Sequence, residues 1–141
     1  MSAFLTDLDC HLKDDDTVWV IDSPLVYQSD LLGLITVPKG FETDFSSVPR
    51  LPIVYSLYGD KAHREGVVHD LLYRKDAITC VKFKDDENSV HDITLSEANN
   101  VYYEAMKCRN KSWLVRHGMF WGVVLGGWLH FQKKNVMDRL C

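Results

Sequence analysis

The segment 37–74 constrains the fold most, because a turn-rich extended stretch runs there into an apolar helical stripe. It reads VPKGFETDFSSVPR, then a spacer, then HREGVVHDLLYR. Pro and Gly break up the first half, whereas apolar residues recur at helical spacing in the second. The segment therefore predicts a boundary between a sheet and helices. The adjacent His69 and Asp70 in the helical stripe are typical of a functional site rather than of plain packing.

Composition limits the chain to a soluble globular class. The 141 residues are 46% hydrophobic and 26% charged, which suits one domain with a sizeable core. We expect this single domain to span residues 1–141, with a sheet at about 17–50 and a helical part at about 60–135. The net charge of -4 and the lack of a long basic stripe argue against sequence-general nucleic-acid binding.

Short β-rich runs separated by turn residues predict a small antiparallel sheet in the first fifty residues. These runs are residues 18–21, 25–28, 34–37 and 41–45. A further strand at residues 79–83 is predicted within an irregular, hairpin-like stretch.

Three helices are predicted in the C-terminal half, which gives an α+β fold. The first covers residues 61–75 and places Val67, Val68, Leu71 and Leu72 on one stripe. The second follows the capping box 94–97 (Thr-Leu-Ser-Glu) and runs to about residue 107. The third covers residues 113–133.

The third predicted helix has glycines every four residues, at Gly118, Gly122 and Gly126. Small residues at this spacing let a second backbone approach closely. They indicate either tight packing in the core or a contact with a partner helix, including that of a second copy. The apolar stretch 118–129 is about a dozen residues long, whereas a membrane-spanning helix needs roughly twenty. We therefore expect no membrane span.

The cysteines and the N-terminus indicate an intracellular, reducing location. No two of the four cysteines form a Cys-x-x-Cys pair, so a structural zinc knuckle is disfavoured and reduced thiols fit a cytoplasm. The first residues lack a basic segment followed by an apolar core. We therefore expect no secretory signal peptide.

The first predicted helix carries the candidate site. Glu65 and His69 are four residues apart and share a face, and His63 and Asp70 are seven apart and also share one. His69 and Asp70 lie about a hundred degrees apart and can flank one point beyond the helix. Imidazole and carboxylate ligands suit zinc, manganese or iron. Such an ion would generate hydroxide near neutral pH.

Asp44, at the end of the preceding extended piece, is the natural additional ligand for this ion. A metal-free acid–base site in which Asp44 or Asp70 orients His69 is a second interpretation. A third is purely structural: His69 donates to Asp44, and Asp70 pairs with Arg50 or Arg74, which would join sheet and helix. A Ser-His-Asp triad is disfavoured because no Gly-x-Ser-x-Gly elbow surrounds the nearby serines.

The chain resembles a family of small bacteriophage and prophage proteins of unknown function. The family pattern is V-P-x-G-F-x-T-D-x-x-S-V-P-R followed by H-D-x-L-Y. The resemblance covers about residues 35–119. The matching residues are Val37, Pro38, Gly40, Phe41, Thr43, Asp44, Phe45 (where the family has Phe or Gly), Ser47, Val48, Pro49, Arg50, His69, Asp70, Leu72 and Tyr73.

A third family element, a helix with E-A-D and then E-A-M, resembles Glu97-Ala98-Asn99 and Glu104-Ala105-Met106. Asn99 stands where the family pattern usually has Asp. An Asn keeps the oxygen but loses the charge. If the Asp were a ligand or a base, this chain would have a weaker or altered site.

Two functions of different classes follow, and an intracellular effector that blunts a host defence is left open as a third. The first is a metal-assisted hydrolase of a peptidoglycan amide or a phosphoester, with His69 and Asp70 holding the ion, Asp44 as ligand or base and Arg50 stabilising an anionic substrate. Auxiliary groups would be His63, Glu65, Ser47, Tyr73 and Asn99. The second is a non-catalytic virion protein, in which the motif is a folding network and the glycine helix contacts other virion proteins or a second copy. The resemblance implies a location in the host cytoplasm or the virion.

Overall fold

The computed structural model describes residues 2–14, 18–43, 63–84, 91–108, 113–126, 131–132 and 136. Antiparallel strands lie mostly in the N-terminal half and helices in the C-terminal half, which confirms the predicted α+β class. The strands are β1 (Ala3–Phe4), β2 (Cys10–Leu12), β3 (Trp19–Ile21), β4 (Leu25–Gln28), β5 (Gly33–Val37), β6 (Glu42–Thr43) and β7 (Val81–Phe83). The α-helices in these segments are α1 (His63–Leu72), α2 (Leu95–Cys108) and α3 (Trp113–Gly126).

The strands form two antiparallel sheets, where the sequence predicted one. The larger sheet has the order β1-β4-β5-β7 and the smaller one β2-β3-β6. The turn at residues 22–24 sends the chain from one sheet into the other, so that β3 pairs with β2 and β6 while β4 pairs with β1 and β5. Residues 2–14 therefore contribute one outer strand to each sheet.

The strand predicted at residues 79–83 is shorter than expected. Residues Ala77–Cys80 form a 3-10 turn, and only Val81–Phe83 is extended, where it pairs with β5. The Thr79 amide and hydroxyl both donate to the Asp76 carbonyl, at 3.0 and 2.7 Å. This local bonding favours the turn over the strand. Of the run predicted at 41–45, Glu42–Thr43 is extended, and residues 44–45 lie outside the described part of the chain.

Helix α1 buries the predicted stripe, since Val67, Val68, Leu71 and Leu72 have no solvent exposure. It ends at Leu72 rather than at residue 75, because the Arg74 amide turns back to the Leu71 carbonyl at 3.0 Å and tightens the last turn.

The capping box that begins α2 is confirmed. The Thr94 amide donates to the Glu97 carboxylate at 2.9 Å, and the Glu97 amide donates to the Thr94 hydroxyl at 3.1 Å. These reciprocal bonds satisfy amides that a helix start otherwise leaves unpaired.

The last helix does not reach residue 133 as predicted. Phe131 and Gln132 lie in a turn, and Gln132 has a φ of 58° and donates its amide to the Tyr73 carbonyl at 2.7 Å. The Val136 amide donates to the Asp76 carboxylate at 2.6 Å. The C-terminal segment is therefore tied to the end of α1. In the described segments, no helix combines the length and apolar character required to cross a bilayer.

The core lies between the sheets and the helices α1 and α2. It includes Ile21, Leu25, Tyr27, Ile35, Val37 and Phe41 from the strand region and Ala98, Val101 and Ala105 from α2. All of these side chains have at most 1% exposure. Burying them supplies most of the driving force for folding.

Gly33 allows β5 to approach β7 closely. Its φ is 125°, and a Cβ at this position would lie 2.2 Å from the Lys82 carbonyl oxygen. Gly66 in α1 is different, since a Cβ there would meet nothing within 4 Å.

We expect Gly33→Ala to lower the free energy of unfolding by at least about 2 kcal/mol, because it combines a strained φ with a clash against backbone. Gly66→Ala is the matched control and should be neutral or stabilising by up to about 1 kcal/mol, because alanine favours the helix. Urea unfolding of both variants measures the difference. Equal effects of the two substitutions would contradict the assigned role of Gly33.

Candidate functional site

Helix α1 and the residue that follows it place Glu65, His69 and Tyr73 along one face. Glu65 and His69 are one helical turn apart, and Tyr73 follows one turn later, just beyond the helix end. Glu65 and His69 are each only 1% exposed. The predicted shared face of Glu65 and His69 therefore points into the protein.

His69 and Tyr73 both bond to Asn99 on α2. The His69 Nε2 lies 2.8 Å from the Asn99 Oδ1, and the Tyr73 hydroxyl donates to the same oxygen at 2.8 Å. Because an amide oxygen has no hydrogen, Nε2 must carry the proton and donate it. Two motifs that are distant in sequence, H-D-x-L-Y and E-A-N, thus meet in one buried network, which we call the His69–Asn99–Tyr73 network.

Aromatic rings enclose the imidazole. The ring centroid of His69 lies 4.2 Å from that of Tyr73 and 4.7 Å from that of Tyr102. Burial lowers the pKa of His69 to about 4, and the hydrogen bond to Asn99 opposes this shift only in part. His69 is therefore neutral at physiological pH.

The two tyrosines beside His69 also hold their protons tightly. Burial raises the pKa of Tyr73 to about 12. Burial, and then the nearby Glu65 carboxylate, raise the pKa of Tyr102. Among the described residues, the buried Tyr102 hydroxyl has no hydrogen-bond partner. Neither phenol is suited to release a proton near neutral pH.

The hydrogen bond described for Asp70 lies outside the His69–Asn99–Tyr73 network. Its carboxylate accepts a hydrogen bond from Arg74 at 3.3 Å, one helical turn later. The same guanidinium donates to the Glu42 carbonyl at 3.3 Å and lies 5.2 Å from the centre of the Phe41 ring. Arg74 therefore joins α1 to β6. The predicted Asp70–Arg74 pair of the structural interpretation is present.

The predicted site is only partly within the described residues. Asp44, Ser47 and Arg50 lie outside them, and of His63 only the backbone at the start of α1 is described. The convergence of Asp44 with His69 and Asp70 therefore stays a prediction. In the portion of the chain that is described, no three His, Cys, Asp or Glu side chains are grouped so that they could hold a metal ion.

The sequence analysis did not single out Tyr102, and it named Glu104 without giving it a role. Tyr102 lies three residues after Asn99 on α2, and this spacing on one face was the available signal. Glu104 accepts hydrogen bonds from the Tyr27 hydroxyl at 2.7 Å and the Ser29 hydroxyl at 2.8 Å. This carboxylate fixes α2 to β4 and the turn that follows it.

We expect the stability of the protein to fall as the pH drops from about 6.5 to about 4. In this window unfolded His69 binds a proton that folded His69 excludes. The stabilisation linked to the neutral state of His69 is complete above the pKa of about 6.5 in the unfolded chain. It is lost as the pH falls from there to the pKa of about 4 in the folded protein. Urea unfolding across this range measures it. His69→Gln is the control, since it has an amide donor but does not titrate, and its profile should be flatter there by an amount on the order of 3 kcal/mol. Identical profiles would contradict the buried neutral imidazole.

We expect Asn99→Asp to raise the pKa of His69 by at least about one unit, because an adjacent carboxylate stabilises the imidazolium. Titration of the His69 ring carbon protons by NMR measures the change. Asn100→Asp is the matched control, because its side chain is exposed and it should leave the His69 titration nearly unchanged. An unshifted His69 in Asn99→Asp would argue against the described hydrogen bond.

Comparison with known proteins identifies a family. A family model described as a protein of unknown function (DUF1353) matches residues 19–123. Comparison with curated proteins and with solved structures gives no match. The matched region extends from β3 into α3 and contains the complete His69–Asn99–Tyr73 network. The chain thus belongs to the DUF1353 family of proteins of unknown function.

Proposed function

We propose that this chain is a phage-encoded, non-catalytic interaction protein associated with the virion, in which the His69–Asn99–Tyr73 network serves folding. One observation carries the proposal. His69 is 1% exposed, and its Nε2 is bonded to the neutral amide of Asn99. The phage origin rests on the resemblance of the two motifs.

The network is poorly suited to acid–base catalysis. A general acid or base works best when its pKa lies near the working pH and its atom reaches the substrate. The pKa of His69 is lowered to about 4, and its ring is closed off by Tyr73 and Tyr102. The Asn99 amide carries no charge that would stabilise an imidazolium formed during a reaction.

The third family element also has a structural explanation at each position. Glu97 closes the capping box, and Glu104 binds Tyr27 and Ser29. The side chains between and beyond them are core residues with no exposure: Ala98, Ala105 and Met106. A motif whose members all hold elements together fits a folding role.

Helix α3 is the proposed contact surface. Trp113, Leu114 and Trp121 are 61, 62 and 56% exposed. Gly118 and Gly122 beside them are half-buried. Exposed large apolar residues on one helix are typical of a protein–protein contact. The partners on this proposal are other virion proteins or a second copy through the helix of Gly118, Gly122 and Gly126, in the host cytoplasm or the virion.

We expect His69→Ala to lower the free energy of unfolding by about 2 to 4 kcal/mol, because it removes the imidazole donor to the buried Asn99 oxygen and the ring that packs against Tyr73 and Tyr102. Chemical denaturation measures this loss. Asp70→Ala, on the same helix but with a partly exposed ion pair, should cost less. The proposal also expects stoichiometric protein in purified particles. Unchanged stability in His69→Ala, or absence from the particles, would contradict it.

A metal-assisted hydrolase is the second candidate, favoured by the buried Glu65 carboxylate one turn from His69 and by the meeting of two family motifs. In this version Asp44, His69 and Asp70 hold zinc, manganese or iron, and Arg50 stabilises an anionic substrate. Metal analysis and melting curves with each ion or with EDTA test it. No bound ion and an unchanged melting temperature would reject the metal site, whereas His69→Ala that keeps its fold but loses hydrolysis would favour it.

A further inference from the structure

The two ends of the sequence carry opposite charge. Residues 1–30 contain one lysine, Lys13, but seven aspartates: Asp7, Asp9, Asp14, Asp15, Asp16, Asp22 and Asp30. Between Glu104 and Asp138 there is no acidic residue, but there are six cations: Lys107, Arg109, Lys111, Arg116, Lys133 and Lys134. The chain as a whole has a net charge of only -4. Its charge is therefore segregated along the sequence.

Three of these aspartates, Asp7, Asp9 and Asp14, lie on an exposed edge. Residues 2–14, which we call the acidic edge, supply outer strands β1 and β2 to the two sheets. Leu5 and Leu12 on this edge are 59 and 39% exposed, and the Asp7 side chain is 91% exposed even though it contacts Arg64 at 3.2 Å. The acidic edge thus combines negative charge with exposed leucines.

The basic part presents an aromatic face. Trp113, Leu114 and Trp121 fall within an arc of about 100° on α3 and are each more than half exposed. His117 lies within this arc and stacks on Trp113 with ring centroids 4.2 Å apart. Met119 on the other side is fully buried, and α3 packs against α2. We call these four arc residues, together with the neighbouring half-buried Arg116, whose guanidinium lies 5.7 Å from the centre of the Tyr103 ring on α2, the basic face.

We infer that the acidic edge of one copy binds the basic face of a second copy in a head-to-tail contact. This inference rests on the proposed function and names the partner at the α3 surface. Each side supplies exposed apolar side chains, and the sequence segments that carry the two sides have opposite charge. Such complementarity fixes the partner and the register. A symmetric pairing of two α3 helices would instead bring two basic faces together, with no acidic residue between them.

A head-to-tail contact leaves one unused surface at each end of the pair. Contacts of this type extend into a ring when the rotation closes and into a filament when it does not. Rings and filaments are both compatible with a component that is repeated in a particle.

The test compares wild-type protein with two full-length variants by light scattering and sedimentation over a dilution series. Trp113→Glu/Trp121→Glu alters the basic face, and Leu5→Lys/Leu12→Lys alters the acidic edge. We expect the wild type to associate, and its apparent affinity to weaken by about tenfold or more between about 0.1 and 1 M salt, since screening shortens the reach of the charges from about 10 to about 3 Å. Each variant alone should be monomeric.

Mixing the two variants gives the decisive result. Each retains the surface that the other has lost, so an equimolar mixture should form a one-to-one dimer that does not extend further. Leu31→Ser, at a 51% exposed leucine outside both surfaces, should associate like the wild type. Circular dichroism checks that each variant is folded.

Three outcomes would overturn the inference. They are a monomeric wild type at all concentrations, an edge variant that still associates while the helix variant does not, or a variant mixture that stays monomeric. The second outcome would indicate a symmetric contact between α3 helices. None of these outcomes alters the stability of His69→Ala or the particle content, so the inference and the proposed function can fail separately.

Discussion

The hydrogen bond between the His69 Nε2 and the Asn99 Oδ1 is the constraint on which the helical half depends. It joins α1 to α2 at a point from which solvent is excluded. A buried polar pair of this kind disfavours other arrangements of the two helices, because either partner left alone would lose its hydrogen bonds to water without replacement. The bond therefore specifies how the two helices meet, whereas the surrounding apolar contacts supply the bulk of the stabilisation.

Two further sets of polar contacts join the helices to the sheets. Glu104 gathers the Tyr27 and Ser29 hydroxyls, and Arg74 connects Asp70 with the Glu42 carbonyl. Each link joins one helix to one strand region. Helices α1 and α2 are thus held to each other and to both sheets by side chains drawn from the family motifs or next to them. This arrangement gives the motif residues a role in joining the helices to the sheets.

The sequence predicted secondary-structure elements correctly where the spacing of nearby residues determines them. The capping box of α2 and the apolar stripe of α1 depend on spacing alone, and both are found. Strands β1 and β2, which have only two and three residues, were missed, and with them the division of the strands into two sheets. Strands this short depend on pairing with distant strands, which local pattern does not reveal.

In the candidate site, too, some features follow from local spacing and others from packing between distant segments. Spacing correctly placed Glu65 and His69 on one face, but it could not show that this face would be buried against Tyr102 and Asn99. That outcome depends on how α2 packs, over a separation of about thirty residues. The neutral state of His69 follows from this packing and not from the His-Asp dipeptide itself. The pairing of Asp70 with Arg74, one turn apart, was within reach of the sequence.

The tie between the C-terminal segment and α1 has a consequence for synthesis of the chain. Gln132 and Val136 donate backbone amides to Tyr73 and Asp76, directly beside the histidine network. The Val136 donor lies 60 residues after its Asp76 acceptor. During synthesis the end of α1 consequently cannot acquire its final neighbours until those later residues have been added and have left the ribosome.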